Sequence, residues 1–158
     1  PVGFKYISAK MAETDAVIGG ESSGGLAVRG HIAGKDGIYA AALLVEMLAV
    51  TGKSVSQLYQ EITDKYGMLY YEDAAFTMTQ ARKVELQEKL FVKLEVPDFG
   101  NAVEKINRTD GCKVYFTDGS WVICRFSGTE PLLRMAAEGE SQSQARTYIR
   151  IWREALGL

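Results

Sequence analysis

Histidine occurs once in this 158-residue chain and cysteine twice, and none of these residues stands at metal-ligand spacing, so no structural metal is expected. Internal repeats and low-complexity tracts are absent, which excludes solenoid and array architectures. Positive charge is not in excess: 18 Lys and Arg against 20 Asp and Glu leave a net charge of −2 and a pI near 5.5. With no basic patch, and no strand face read as mixing basic and aromatic residues, neither nucleic acid nor an anionic membrane is an expected partner. The longest apolar run, residues 38–50, is too short to span a bilayer and contains Glu46, and the first residues lack the charged, apolar and small order of a signal sequence. These absences point to a soluble, cytoplasmic protein. At 47% hydrophobic content disorder is not indicated, and the length suffices for one good core or two small ones.

What is present reads as alternating elements. Phe4, Ile7, Ala9 and Met11 fall near helical spacing, and Asp15-Ala16-Val17-Ile18 reads as a short buried strand leading into a glycine-rich loop. Asp36 is placed to cap a helix over residues 38–50, whose sides are apolar nearly all round, as in a buried packing helix that ends at Thr51-Gly52. Ser54-Val55-Ser56-Gln57 has the form of a capping box, followed by Val55, Leu58, Tyr59, Ile62 and Tyr66 on one helical face. Residues 68–78 favour a strand and residues 79–92 a helix. Residues 102–108, 112–117, 121–126 and 132–138 then read as an antiparallel meander turning at Asp110-Gly111 and Asp118-Gly119. Ser141-Gln142-Ser143-Gln144 caps a closing helix whose apolar stripe is Ala145, Tyr148, Ile149, Trp152 and Leu156. The domain boundary is expected near residue 75, giving domains 1–75 and 76–158. A two-residue turn at Asp118-Gly119 would set Cys112 opposite Arg125 and Cys124 opposite Lys113, so the two thiols are expected on opposite sides of the sheet and unpaired.

Two loops carry candidate chemistry. The first is Arg125-Phe126-Ser127-Gly128-Thr129-Glu130-Pro131-Leu132-Leu133-Arg134, where two guanidinium groups flank a Ser-Gly-Thr turn. Gly128 would let successive N–H groups point into one concavity, Ser127 and Thr129 add hydroxyls, and Arg125 and Arg134 match phosphate oxygens in pairs. Glu130 reads as structural, and Pro131 as a stiffener of the turn. The second is Gly19-Gly20-Glu21-Ser22-Ser23-Gly24-Gly25, followed by Arg29-Gly30-His31-Ile32-Ala33-Gly34-Lys35-Asp36-Gly37. A carboxylate such as Glu21 accepts from two vicinal hydroxyls and Ser23 donates or accepts, although a solvated Gly/Ser loop has the same composition. Arg29 either adds positive potential near this loop or is simply solvated.

Together these segments resemble the alpha-D-phosphohexomutase family, which includes phosphoglucomutases and phosphomannomutases. Its members carry a Gly-Glu-x-Ser-Gly sugar loop, a Lys-Asp-Gly element and a terminal Arg-x-Ser-Gly-Thr-Glu-Pro phosphate loop, and all three occur here in that order. The resemblance covers nearly the whole chain from Gly3-Phe4-Lys5-Tyr6-Ile7 onward. It implies the C-terminal portion of an α/β sugar-binding domain, then a small antiparallel-sheet α+β domain with helices on one face, like the TATA-binding protein. It further implies Glu21 and Ser23 as sugar ligands, and Arg125, Ser127, Gly128, Thr129 and Arg134 as phosphate ligands. Lys35 and His31 are implied nearer the transferred group, as acid/base or phosphate contacts.

The family reaction moves a phosphoryl group between the 1- and 6-positions of a hexose through a phosphoserine and a hexose bisphosphate. The phosphoserine segment and the aspartate-rich magnesium loop have no counterpart in this sequence, and the chain opens at Pro1 directly in helix-like sequence. It is therefore expected to be the C-terminal part of an isomerase, inactive alone and partnered by the N-terminal domains of the same protein, with Mg2+ needed only by the parent enzyme. Surfaces left bare would favour dimers of the fragment. A stand-alone sugar-phosphate binding or regulatory module is the alternative. Some relatives have histidine where this chain has Gly25, which favours glucose or mannose over glucosamine as the sugar.

Overall fold

The computed structural model describes residues 2–93, 96–128 and 130–158, and the chain divides into two compact units, Pro1–Gly67 and Met68–Leu158. In the first unit, α1 (Phe4–Thr14) ends where Asp15 adopts a left-handed conformation (φ 50°) and turns the chain into a short hairpin. Strands β1 (Ile18–Gly20) and β2 (Leu26–Val28) pair antiparallel, with Gly20 opposite Leu26. Helix α2 (Gly37–Thr51) begins at the Asp36 cap, whose Oδ1 accepts from the N–H groups of Ile38 and Tyr39 (both 3.0 Å), and stops at Gly52 (φ 65°). Helix α3 (Val55–Tyr66) has the full capping box: Ser54 Oγ accepts from Gln57 N, and Gln57 Oε1 from Ser54 N.

Two expectations fail here. Val17 and Ile18 are exposed, not buried, because the three-residue hairpin leaves one side open. The α2 helix buries none of its residues: Ile38 is 87% exposed, Val50 79% and Val45 66%. The two short strands of this unit leave its apolar sides uncovered, and the only buried residue among those described here is Ala27. No described helix is long and apolar enough to cross a membrane by itself; α2 and α3 pass by length and composition only as a pair bent by 83°.

The second unit is a five-stranded antiparallel sheet in the order β3-β7-β6-β5-β4, built from β3 (Tyr70–Thr77), β4 (Val103–Asn107), β5 (Cys112–Phe116), β6 (Trp121–Phe126) and β7 (Leu132–Gly139). Helix α4 (Gln80–Gln87), continued by a π turn at Glu88–Val92, and α5 (Gln142–Leu156) cover one face. Between them lies the core: Leu86, Leu90, Phe99, Cys112, Val114, Phe116, Val122, Cys124, Leu133, Met135, Tyr148 and Trp152. Side chains of this size contribute about 1.5–3 kcal/mol each on full burial. The α5 stripe is buried as its spacing predicts. The Ser141 cap forms, but Gln144 Oε1 accepts from Glu140 N and not from Ser141 N, so only half of the expected box is made.

Three more differences appear in this unit. The division falls at Gly67/Met68, ahead of the expected residue 75, because all of β3 pairs with β7 from Tyr70↔Gly139 to Thr77↔Leu132. Cys112 and Cys124 are direct cross-strand partners on the core face, both fully buried and both free thiols. The turn explains this: Phe116 N bonds Ser120 O (2.9 Å) and Gly119 N bonds Phe116 O (3.0 Å), which makes a three-residue loop with Gly119 at φ 87°. That slips the register by one residue from a two-residue turn, and a one-residue slip exchanges the faces of every side chain. The open face also mixes basic and aromatic groups after all. Lys113 Nζ lies 3.7 Å from the Trp121 ring centroid and 4.7 Å from that of Tyr115, while Trp121 Nε1 donates to Glu138 (3.0 Å).

Candidate functional site

The candidate loop of this unit lies at one end of this open face. Strands β6 and β7 place Arg125 directly opposite Arg134 in their register, with Arg125 half-buried and Arg134 exposed. Like charges in register oppose each other, so the pair is an arrangement that an anion would relieve. Beyond it the chain closes a short loop: Ser127 N bonds Leu132 O (2.7 Å) and Leu132 N bonds Glu130 O (2.8 Å). Met78 N at the end of β3 holds Pro131 O (3.0 Å). From α4, Lys83 Nζ reaches across and donates to Ser127 O (2.9 Å) and Glu130 O (3.3 Å). An ammonium thus braces both limbs of the loop and adds a third positive charge to it.

Gly128 sits in open space outside the left-handed region, so the turn does not use the backbone freedom expected of it. Thr129, predicted as a phosphate ligand, lies outside the described residues.

The second candidate cluster is in the first unit. The loop between β1 and β2 closes through Gly24 N to Glu21 O (2.9 Å) and Glu21 N to Gly25 O (3.0 Å), and Gly24 at φ 88° makes that turn. Lys35, from the segment before α2, donates to Glu21 Oε1 at 2.6 Å. This bond, with another from Ser23, holds the Glu21 carboxyl below its ordinary pKa despite a partial desolvation that opposes it. Glu21, Ser23 and Lys35 are therefore brought together.

His31 has partners of its own. Its Nε2 is 2.8 Å from Asp36 Oδ2, and its ring stacks on Tyr39 at 4.1 Å between centroids. Asp36 consequently serves as helix cap and histidine partner at once. Bonds from Tyr39 N and His31 keep its pKa low. Arg29 is bound to Asp15 through both the carboxylate (2.6 Å) and the backbone carbonyl (2.9 Å).

Comparison with known proteins now fixes the lineage. Residues 1–66 match the family model "Phosphoglucomutase/phosphomannomutase, alpha/beta/alpha domain III", and residues 77–153 match "Phosphoglucomutase/phosphomannomutase, C-terminal domain". The chain belongs to the alpha-D-phosphohexomutase family.

Among phosphohexomutases, it is 34% identical over 150 residues to a phosphoglucomutase/phosphomannomutase of Thermococcus kodakarensis, covering 95% of this chain and 30% of that protein. A phosphoglucosamine mutase of Koribacter versatilis is 31% identical over 156 residues, covering 98% of this chain and 30% of that protein. A solved structure from Thermus thermophilus, provisionally named a phosphomannomutase, superposes with a TM-score of 0.73 at 26% identity, over 100% of this chain and 30% of that one. A phosphoglucomutase/phosphomannomutase family protein of Burkholderia thailandensis shares the fold, with a TM-score of 0.70 at 24% identity, over 98% of this chain and 31% of that one. The chain thus spans about 30% of the length of the curated relatives it matches.

Within this phosphohexomutase segment, sequence reasoning missed Lys83 and Tyr39. A lysine in the first turns of an amphipathic helix reads as solvated surface, and an aromatic in an apolar helix reads as packing. Neither carries a local signal of its tertiary partner.

Proposed function

We propose that this chain is the substrate-recognition part of a phosphoglucomutase/phosphomannomutase, the isomerase class that moves phosphate between the 1- and 6-positions of a hexose. The observation that carries the reading is the Arg125–Arg134 pair, two guanidinium groups in register at the mouth of a loop braced by Lys83. In this reading Arg125, Ser127, Gly128, Thr129 and Arg134 anchor the phosphate that is not reacting. Charge-assisted bonds to such groups contribute roughly 1.5–3 kcal/mol each. Glu21 and Ser23 read the ring hydroxyls, while Lys35 and His31 stand nearer the transferred group. Anchoring one phosphate sets the opposite hydroxyl for transfer by proximity, and a bisphosphate that turns around can use the same anchor for its other end.

The N-terminal domains of the same protein would supply the phosphoserine and the magnesium ligands. Among the described residues no group of three His, Cys, Asp or Glu side chains could hold a metal ion, so these residues do not fit a magnesium site and no step is assigned to one. The bare apolar sides of α2 suit coverage by those domains, or by a second copy of the fragment where they are absent. A cytoplasmic location is in keeping with a sugar-phosphate substrate. Assay of the purified chain with hexose 1-phosphate tests the division of labour: no turnover alone, and turnover on addition of the N-terminal portion, are expected. Sustained turnover by the chain alone would overturn it.

A further inference from the structure

The two glycines that end the sugar-type loop are glycine for different reasons. Gly24 has φ 88° and nothing within 4 Å of the position a Cβ would take, so its backbone alone requires the residue. Gly25 lies outside the left-handed region, so its backbone admits any side chain. Space is what excludes one there. A Cβ at residue 25 would fall 2.3 Å from Lys35 Cδ, 3.1 Å from Lys35 Cγ and 2.8 Å from Glu21 Oε1. The lysine stem lies in the volume that a side chain at 25 would fill, and from there its ammonium reaches Glu21 at 2.6 Å and lies 5.7 Å from the Phe4 ring centroid.

Resting on the functional reading above, we propose that Gly25 is the positioning residue for Lys35: its missing side chain is the seat of the lysine stem, and occupying that seat removes Lys35 from Glu21. The atoms in the way belong to two flexible side chains, the stem of Lys35 and the carboxylate of Glu21, the very pair that is bonded, so a substituted loop keeps its backbone and loses the ion pair. The two groups expected to meet the substrate are then no longer held together across the loop mouth. Glu21 keeps Ser23 alone as a side-chain donor, and Lys35 samples solvent. Residue 25 thereby sets whether this segment presents its carboxylate and ammonium as a joined pair or as separate groups, a difference that the sugar's hydroxyls and phosphate would read.

The test follows the side-chain carboxyl carbon of Glu21 by NMR through a pH titration of the ligand-free chain, with Gly25→Ala, Lys35→Met and the double variant. The expected result is a midpoint below the ordinary glutamate value in the parent chain that moves upward in Gly25→Ala and in Lys35→Met. The double variant should move no further than Lys35→Met, since both changes remove the same partner. An unmoved midpoint in Gly25→Ala overturns the proposal, as does an added shift in the double variant or a Gly25→Ala chain that fails to fold. A parallel titration with glucose 1-phosphate separates the two levels of argument. If Gly25→Ala shifts the midpoint but no variant or parent responds to the sugar phosphate, the positioning stands and the functional reading fails.

Discussion

At the scale of single residues, the decisive feature is Arg125 facing Arg134 on adjacent strands with an anchored loop beyond them. Opposed like charges cost a few tenths of a kcal/mol to about 1 kcal/mol in a sheet, a cost that a fold without anions to bind gains nothing by keeping. Replacing Arg134 by Gln should therefore leave the melting temperature of the unliganded chain unchanged or slightly raised, while the rise produced by added inorganic phosphate shrinks or vanishes. Differential scanning fluorimetry with and without phosphate reads both effects. A variant that is destabilised without phosphate yet stabilised by it as strongly as the parent would show that Arg134 serves the sheet and not an anion. Lys83 belongs to the same scale, since its ammonium is committed to two loop carbonyls and its removal would loosen the loop before altering any charge on the ligand.

Between elements, a polar network ties the β5–β6 turn to α5. Asp118 Oδ1 accepts from Ser120 N (2.9 Å) and Ser120 Oγ (2.5 Å), and its Oδ2 accepts from Asn101 Nδ2 (2.7 Å) and Gln144 Nε2 (3.0 Å). Tyr148 Oη joins the same group through Ser120, Asn101 and Gln144. Burial pulls the Asp118 pKa up, and these four bonds outweigh it, so the folded value lies below the usual one. A depressed folded pKa gives stability that is whole above the unfolded value, about 3.9, and is lost as pH falls through the folded value. Asp118→Asn should accordingly flatten the acid limb of stability, seen as a smaller loss of urea midpoint between about pH 5 and about pH 2 than in the parent. Tryptophan emission can follow it, because Trp121 and Trp152, the two tryptophans of the chain, both lie in this unit. An acid limb as steep as the parent's would contradict the role assigned to Asp118.

This scale also shows what the amino-acid sequence could disclose. The α5 stripe, the Ser54 and Asp36 caps and the strand order β4 to β7 follow from periodicity and cap chemistry, which act within a few residues. The facing of Cys112 and Cys124 did not follow, because one extra residue in the turn at Gly119 reverses it, and Asp-Gly suits two-residue and three-residue loops alike. The site was legible in part. Glu21, Ser23 and Lys35 could be named from their motif and do meet, whereas the brace from Lys83 and the stacking of His31 on Tyr39 depend on tertiary placement. Gly25 looked like a missing histidine in the sequence; only its neighbours reveal it as the seat of a lysine stem.

For the molecule as a whole, the two units differ in how well they close on themselves. The second has a sealed core of aromatic and aliphatic side chains, whereas the first leaves the apolar sides of α2 open and buries only Ala27 among its described residues. The first unit thus has an uncovered apolar helix where the second is closed, and the chain as a whole spans about 30% of the length of the curated relatives it matches. The central claim is that the loop between Arg125 and Arg134 anchors the phosphate of a phosphorylated hexose. The amide chemical shift of Gly128 during titration with glucose 1-phosphate and with inorganic phosphate tests it most directly: the amide should move and saturate with both. A Gly128 amide unmoved by either would contradict it.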